Sequence, residues 1–143
     1  MRALLQLSSR QFERLVRDFY KAEGYGATLT RKGPDGGYDV RFYDTESKKM
    51  HIIECKRYSG YVNEEIIEKL DAVVRKKRDN YLRDGVRIQG ILVTIGTISD
   101  EVSRIARGRG IKVMDGQKLI SKLRRIDPEK ISNDIRHIIG CIL

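Results

Sequence analysis

Residues 38–57, YDVRFYDTESKKMHIIECKR, decide the fold. The run Tyr38 to Asp44 alternates apolar and polar residues, and a second β-rich run follows from Lys49. Two such runs joined by a short polar loop, "TESK", predict an antiparallel hairpin. Ile52 and Ile53 are core material, yet Glu54 and Lys56 follow them directly in the same strand. Desolvating such charges costs several kcal/mol unless a partner is present. The hairpin register supplies that partner.

With "TESK" as the loop, Asp44 faces Lys49, and counting back pair by pair sets Asp39 opposite Glu54. Opposed residues on neighbouring strands have Cβ atoms about 5 Å apart and point to one face. Glu54 and Lys56, two positions apart, share that face at about 6.6 Å along the strand. The register therefore gathers Asp39, Glu54 and Lys56. Two carboxylates so close repel unless protonated or bridged by a cation. A hard divalent ion such as Mg²⁺, bound through oxygens and keeping several waters, resolves the clash. The backbone carbonyl of Cys55 is a candidate further oxygen. Next to such an ion the Lys56 ammonium can orient a water or stabilise charge on an attacked phosphate. That chemistry is phosphodiester hydrolysis. An exposed salt bridge across a hairpin, worth little, is the plainer account of Glu-x-Lys. The aligned Asp39, the glycine-rich loop before it and the basic charge of the chain favour the metal reading.

Composition bounds the class. A chain of 143 residues with 40% hydrophobic and 34% charged residues is predicted to form one globular domain, 1–143, with a real core. The longest apolar runs, such as "GILVTIG", are too short to span a bilayer. "MRALLQLSS" lacks the length and cleavage pattern of a signal peptide, and "GCIL" is no prenylation box, since Cys141 stands third from the end. Two cysteines, Cys55 and Cys141, give no disulfide framework. The expectation is a soluble cytoplasmic protein without a membrane partner. Lys and Arg number 29 against 20 Asp and Glu, a net charge of +9 that suits a polyanion such as nucleic acid.

Around the hairpin the pattern is regular. Phe12, Leu15, Val16, Phe19 and Tyr20 lie at helical spacing over 11–23, with Ser8 or Ser9 as the cap and Gly24 and Gly26 at the end. "ATLTR" reads as a short strand and "KGPDGG" as a loop. A long helix over 62–82 carries Ile66, Ile67, Leu70, Val73, Val74 and Tyr81 on one side, with Asn63 as N-cap. "IQGILVTIG" has the near-continuous apolar character of a strand covered on both faces. A short helix, the strand "IKVMD" and the helix "GQKLISKLRRI" come next. A last helix, about 128–142, places Ile131, Ile135, Ile138, Ile139 and Ile142 on a core-facing stripe. The order describes an α/β sandwich with a mixed central sheet: an antiparallel hairpin first, then strands joined by helical crossovers.

These residues carry a resemblance. "GPDGGYDV" followed by "HIIECKR" resembles the PD-(D/E)xK nuclease signature, and the wider chain resembles its Mrr-like restriction endonuclease domains. "QFERLVRDFYKAEGY" is similar to that family's opening helix. "GILVTIGTISDEVSRIARGRGIKVMDGQKLI" is similar to its closing half. The likeness covers about 9–123. The Glu-Cys-Lys form, where many Mrr-like members carry Gln in place of Glu54, is also similar to archaeal Holliday-junction resolvases. The resemblance implies a restriction-endonuclease-like αβββαβ core and an endodeoxyribonuclease using Mg²⁺, with Mn²⁺ as substitute. It places Asp39 and Glu54 on the metal, Lys56 on the water, and Glu13 of the first helix beside the metal or its waters. Asp35, in the literal "PD", is the rival aspartate, but it lies in the loop and off the strand register.

Arg31, Lys32, Arg57 and Tyr58 flank the motif and are candidate phosphate contacts. "RKKR", 75–78, wraps its helix and reads as a solvated face. "RGRG" is a helix end capped by glycine. His51 and His137 receive no role. One domain of this length is expected to leave no room for a separate sequence-reading module. Cutting two strands with one site per chain implies a two-fold homodimer on DNA, which suits duplex restriction and a four-way junction alike. A nucleic-acid-binding module that keeps the fold without catalysis is the alternative from another class.

Overall fold

The hairpin forms in the computed structural model, which describes residues 2–30, 37–57 and 59–143. Three strands come early: β1 (Thr28–Leu29), β2 (Val40–Asp44) and β3 (Lys49–Lys56). β2 and β3 pair antiparallel in the counted register, from Asp44↔Lys49 to Val40↔Ile53. β4 (Arg87–Thr94) and β5 (Lys112–Met114) add parallel to β3, giving one mixed sheet in the order β1-β2-β3-β4-β5.

Helices cover both faces. α1 (Arg2–Leu5), α2 (Ser9–Ala22), α5 (Gly116–Leu123) and α6 (Asn133–Ile139) pack on one, α3 (Glu64–Asn80) and α4 (Asp100–Gly108) on the other. The alternation of the strands assigns the sides. Val40, Phe42 and Ile53 join the core under α2, while Ile52 and Leu92 join the core under α3. Gly90 lets α3 sit close to β4, since a Cβ there would stand 2.7 Å from Val74 Cγ2.

Caps fix where the helices begin. Ser8 and Gln11 form a reciprocal capping box at α2. The side chains of Asn63, Ser99 and Asp115 accept the backbone N–H of Ile66, Val102 and Lys118. α2 ends on Gly24 at φ 102°, and the Tyr25 N–H donates back to the Tyr20 carbonyl at 3.1 Å.

Three features differ from the sequence expectation. Of the described residues of "ATLTR", two pair in a strand, Thr28 and Leu29. The last helix is broken into a 3₁₀ turn at Pro128–Lys130, α6, and a second 3₁₀ turn at Gly140–Ile142. Ile131, Ile135 and Ile139 still reach the core, so burial survives where helical continuity does not. Residues 2–5 form an unexpected first helix, which buries Ala3 and Leu4. Among the described residues no helix is long and apolar enough to cross a membrane.

Candidate active site

Strand pairing stops at Val40↔Ile53, one residue short of the Asp39–Glu54 pair that an unbroken register would make. The reason is Asp39 itself. Its backbone N–H donates to the Ile53 carbonyl at 2.8 Å, and its carboxylate Oδ2 accepts the Cys55 N–H at 2.8 Å. A regular ladder would give Cys55 the carbonyl of Tyr38, but that oxygen instead accepts the Thr30 hydroxyl at 2.6 Å. A side chain has taken a backbone position, and the Asp39 carboxylate is thereby fixed at the end of β3. In a strand the N–H and C=O of one residue face the same edge, so the Cys55 carbonyl faces the Asp39 side as well.

Glu54 and Lys56 project beside it, with Lys56 Nζ 3.4 Å from Glu54 Oε1. Asp39, Glu54 and Lys56 line one cleft of about 290 Å³. Gly37 and the α3 residues Ile66, Lys69 and Val73 form its other walls. The Glu54 carboxyl is pushed up to about 7, first by burial and then by the negative charge of Asp39, with Glu13 adding to the effect and Lys56 opposing it. Glu13, expected at the edge of the apolar stripe of α2, is buried and paired with Arg10 at 3.0 Å.

The electrostatics test whether this donor set fits a cation. A carboxyl held near neutrality by a neighbouring carboxylate is a pair that a positive ion would relieve. The oxygens of Asp39, Glu54 and the Cys55 carbonyl suit a hard divalent ion that keeps waters in its remaining positions. Among the described residues no group of three or more His, Cys, Asp and Glu side chains could hold a metal. A carboxylate pair plus water, rather than a full side-chain cage, is the arrangement to which the residues fit.

Arg31, Lys32, Tyr58 and the rival Asp35 lie outside the described residues. Arg57 reaches toward α1, its Nη1 donating to the Leu5 carbonyl at 2.9 Å. His51, given no role from sequence, is buried with its ring stacked on Phe42 at 4.4 Å. Within "RKKR", Arg75 pairs with Asp71 at 3.0 Å and Lys77 lies 5.4 Å over the Tyr38 ring. Lys69 and Gly37 were missed by the sequence reading. A Cβ at Gly37 would meet Val73 Cγ2 at 2.3 Å, so glycine is what lets this wall close against α3. Their signal was present only weakly: Lys69 stands one position from Leu70 on the helix that must cover β3, but its rotation toward the motif needs the packed structure.

Solved structures share this fold. A repair endonuclease from Pyrococcus abyssi shares the fold at TM-score 0.59 and 16% identity, over 77% of this chain and 47% of that one. The MspJI restriction endonuclease, solved with a 27-mer oligonucleotide, matches at TM-score 0.58 and 20% identity, over 93% of this chain and 31% of that one. A protein of unknown function, AF1548, matches at TM-score 0.60 and 15% identity, over 94% of this chain and 96% of that one. The chain thus spans less than half the length of the two endonucleases. No curated protein matches it by sequence. The restriction endonuclease family model Mrr_cat matches residues 4–123, most of the chain and the whole of the cleft described above, and the chain belongs to that family.

Proposed function

We propose that the chain is a divalent-metal-dependent DNA endonuclease of Mrr-like restriction type. The observation that carries the reading is the Asp39–Glu54–Lys56 cleft, with Glu54 raised to about 7 beside Asp39. Asp39, Glu54 and the Cys55 carbonyl would hold Mg²⁺, with Mn²⁺ as substitute. When bound, such an ion supplies Lewis-acid stabilisation of the phosphate and lowers the pKa of water. Lys56, 3.4 Å from Glu54, orients the attacking water and offsets charge that develops on the phosphate. Glu13 supports the site from α2 by its charge. Arg31, Lys32, Arg57 and Tyr58 remain the proposed phosphate contacts, with DNA as partner and a two-fold homodimer as the cutting unit.

A Holliday-junction resolvase is the second reading, favoured by Glu at position 54 where many Mrr-like members carry Gln. One experiment addresses both. Supercoiled plasmid and a synthetic four-way junction are incubated with Mg²⁺ and wild-type or Glu54→Ala protein. The expected result is metal-dependent cleavage reduced at least about 10²-fold by the substitution. Symmetric cutting of the junction with intact plasmid would select the resolvase. Undiminished binding without cleavage of either DNA by the wild type would leave a binding module.

A further inference from the structure

A second cavity, of about 350 Å³, opens on the opposite face of the sheet from the catalytic cleft, between the end of α2 and α5. Lys112 of β5 and Lys118 and Lys122 of α5 line it. Lys118 and Lys122 are four residues apart and therefore share one helix face. Among the described residues none of these three lysines is ion-paired, so each ammonium is available to a ligand. Three lysines against one carboxylate, Glu23, give the described lining a net positive field. Within the low-dielectric walls of a pocket that field attracts an anion.

The rest of the lining says what kind. Tyr25 is 36% exposed and lines the cavity. It is held in place by the turn at Gly24 and by stacking on Phe42 at 4.4 Å, which is itself stacked on His51 at 4.4 Å. A fixed, partly exposed ring at the edge of a cavity is a stacking platform for a planar group. Ile91 and Met114 add apolar wall. Glu23 also lines the cavity, and a carboxylate there would repel a bare oxyanion filling the whole space. It suits a ligand with an anionic end for the lysines and a hydrogen-bond donor at the other end. The volume accommodates more than a phosphate ion.

We infer that this cavity binds a nucleoside monophosphate unit, its phosphate on Lys112, Lys118 and Lys122 and its base against Tyr25, with Glu23 accepting from an exocyclic amino group. The unit comes either from free nucleotide or from a nucleotide within a DNA strand. The site is distinct from the catalytic cleft, and its occupancy does not depend on metal.

The test is calorimetric titration of the full chain, without metal, with dAMP, dTMP, inorganic phosphate and a short single-stranded oligonucleotide. Variants are Lys118→Glu/Lys122→Glu, at one exposed and one half-buried lysine, Tyr25→Leu and Glu54→Gln, with circular dichroism confirming the fold of each. The expected result is one dAMP site, weakened at least tenfold in the lysine variant and in Tyr25→Leu and unchanged in Glu54→Gln. dTMP, which lacks an amino group, binds more weakly than dAMP. Tighter binding of the oligonucleotide than of dAMP identifies the strand as the source, and the reverse identifies free nucleotide. Phosphate binding as tightly as dAMP, loss of binding in Glu54→Gln, or no dAMP binding at millimolar concentration would overturn the assignment. The cleavage outcome above is scored separately, because Lys118→Glu/Lys122→Glu leaves the catalytic cleft intact.

Discussion

At the scale of single residues, the raised carboxyl of Glu54 is open to direct test. Its carboxyl, held near 7 by burial and by Asp39, keeps its proton in the folded chain while the unfolded chain, near 4.5, has lost it. Between those values the native state binds more protons than the unfolded state, so stability falls as pH rises from about 4.5 to about 7 and then levels off. The loss is at most about 3 kcal/mol and less where solvent reaches the group. Urea unfolding without metal across pH 4–8 checks this. Glu54→Gln flattens that part of the profile and is the more stable protein at pH 8. A wild-type profile with no decline attributable to Glu54 contradicts the strained-pair account. The same proton competes with a cation, so Mg²⁺ raises the melting temperature more at pH 8 than at pH 5.

At the scale of elements, α2 is tied to the C-terminal segment. The buried Asp18 carboxylate accepts the Ser132 N–H at 2.9 Å and the Ser132 hydroxyl at 2.7 Å, and pairs with Arg17. Asp18→Ala strands both Ser132 donors and lowers stability by about 2–3 kcal/mol, while Asp18→Asn costs less. Equilibrium urea denaturation measures the difference. This contact spans 114 positions in sequence, which is why no local pattern announces it. The hairpin was legible for the opposite reason: period-two alternation and a short polar loop fix its register locally, and Asp44↔Lys49 to Val40↔Ile53 follow. The count went wrong only at Asp39, because counting assumes a continuous ladder and the Asp39 side chain replaces a ladder carbonyl. Caps at Ser8 and Asn63 were legible from residue type, whereas Lys69 and Gly37 joined the cleft only once α3 was seated on the sheet. The C-terminal apolar stripe predicted burial correctly but not the breaks on either side of α6, since apolar spacing alone does not reveal where a backbone tightens into 3₁₀ turns.

At the scale of the whole molecule, a net charge of +9 accompanies a fold shared with a restriction endonuclease solved on an oligonucleotide. Binding through phosphates releases counterions, so affinity falls linearly in the logarithm of salt concentration. Duplex DNA binding, measured by fluorescence anisotropy without Mg²⁺, is expected to weaken at least about tenfold between 50 and 200 mM salt. Salt-independent affinity would count against a backbone-driven mode of binding. Both cavities are lined by lysines, but of the two only the Asp39–Glu54 cleft sets two carboxylates side by side. That placement makes sense with a cation between Asp39 and Glu54, and titration calorimetry tests it most directly. Mg²⁺ and Mn²⁺ are titrated at pH 8 into wild type, Asp39→Asn and Glu54→Gln. The account predicts a metal site in the wild type that is lost or weakened at least tenfold in both variants. Equal metal binding by all three proteins, or none by the wild type, would contradict it.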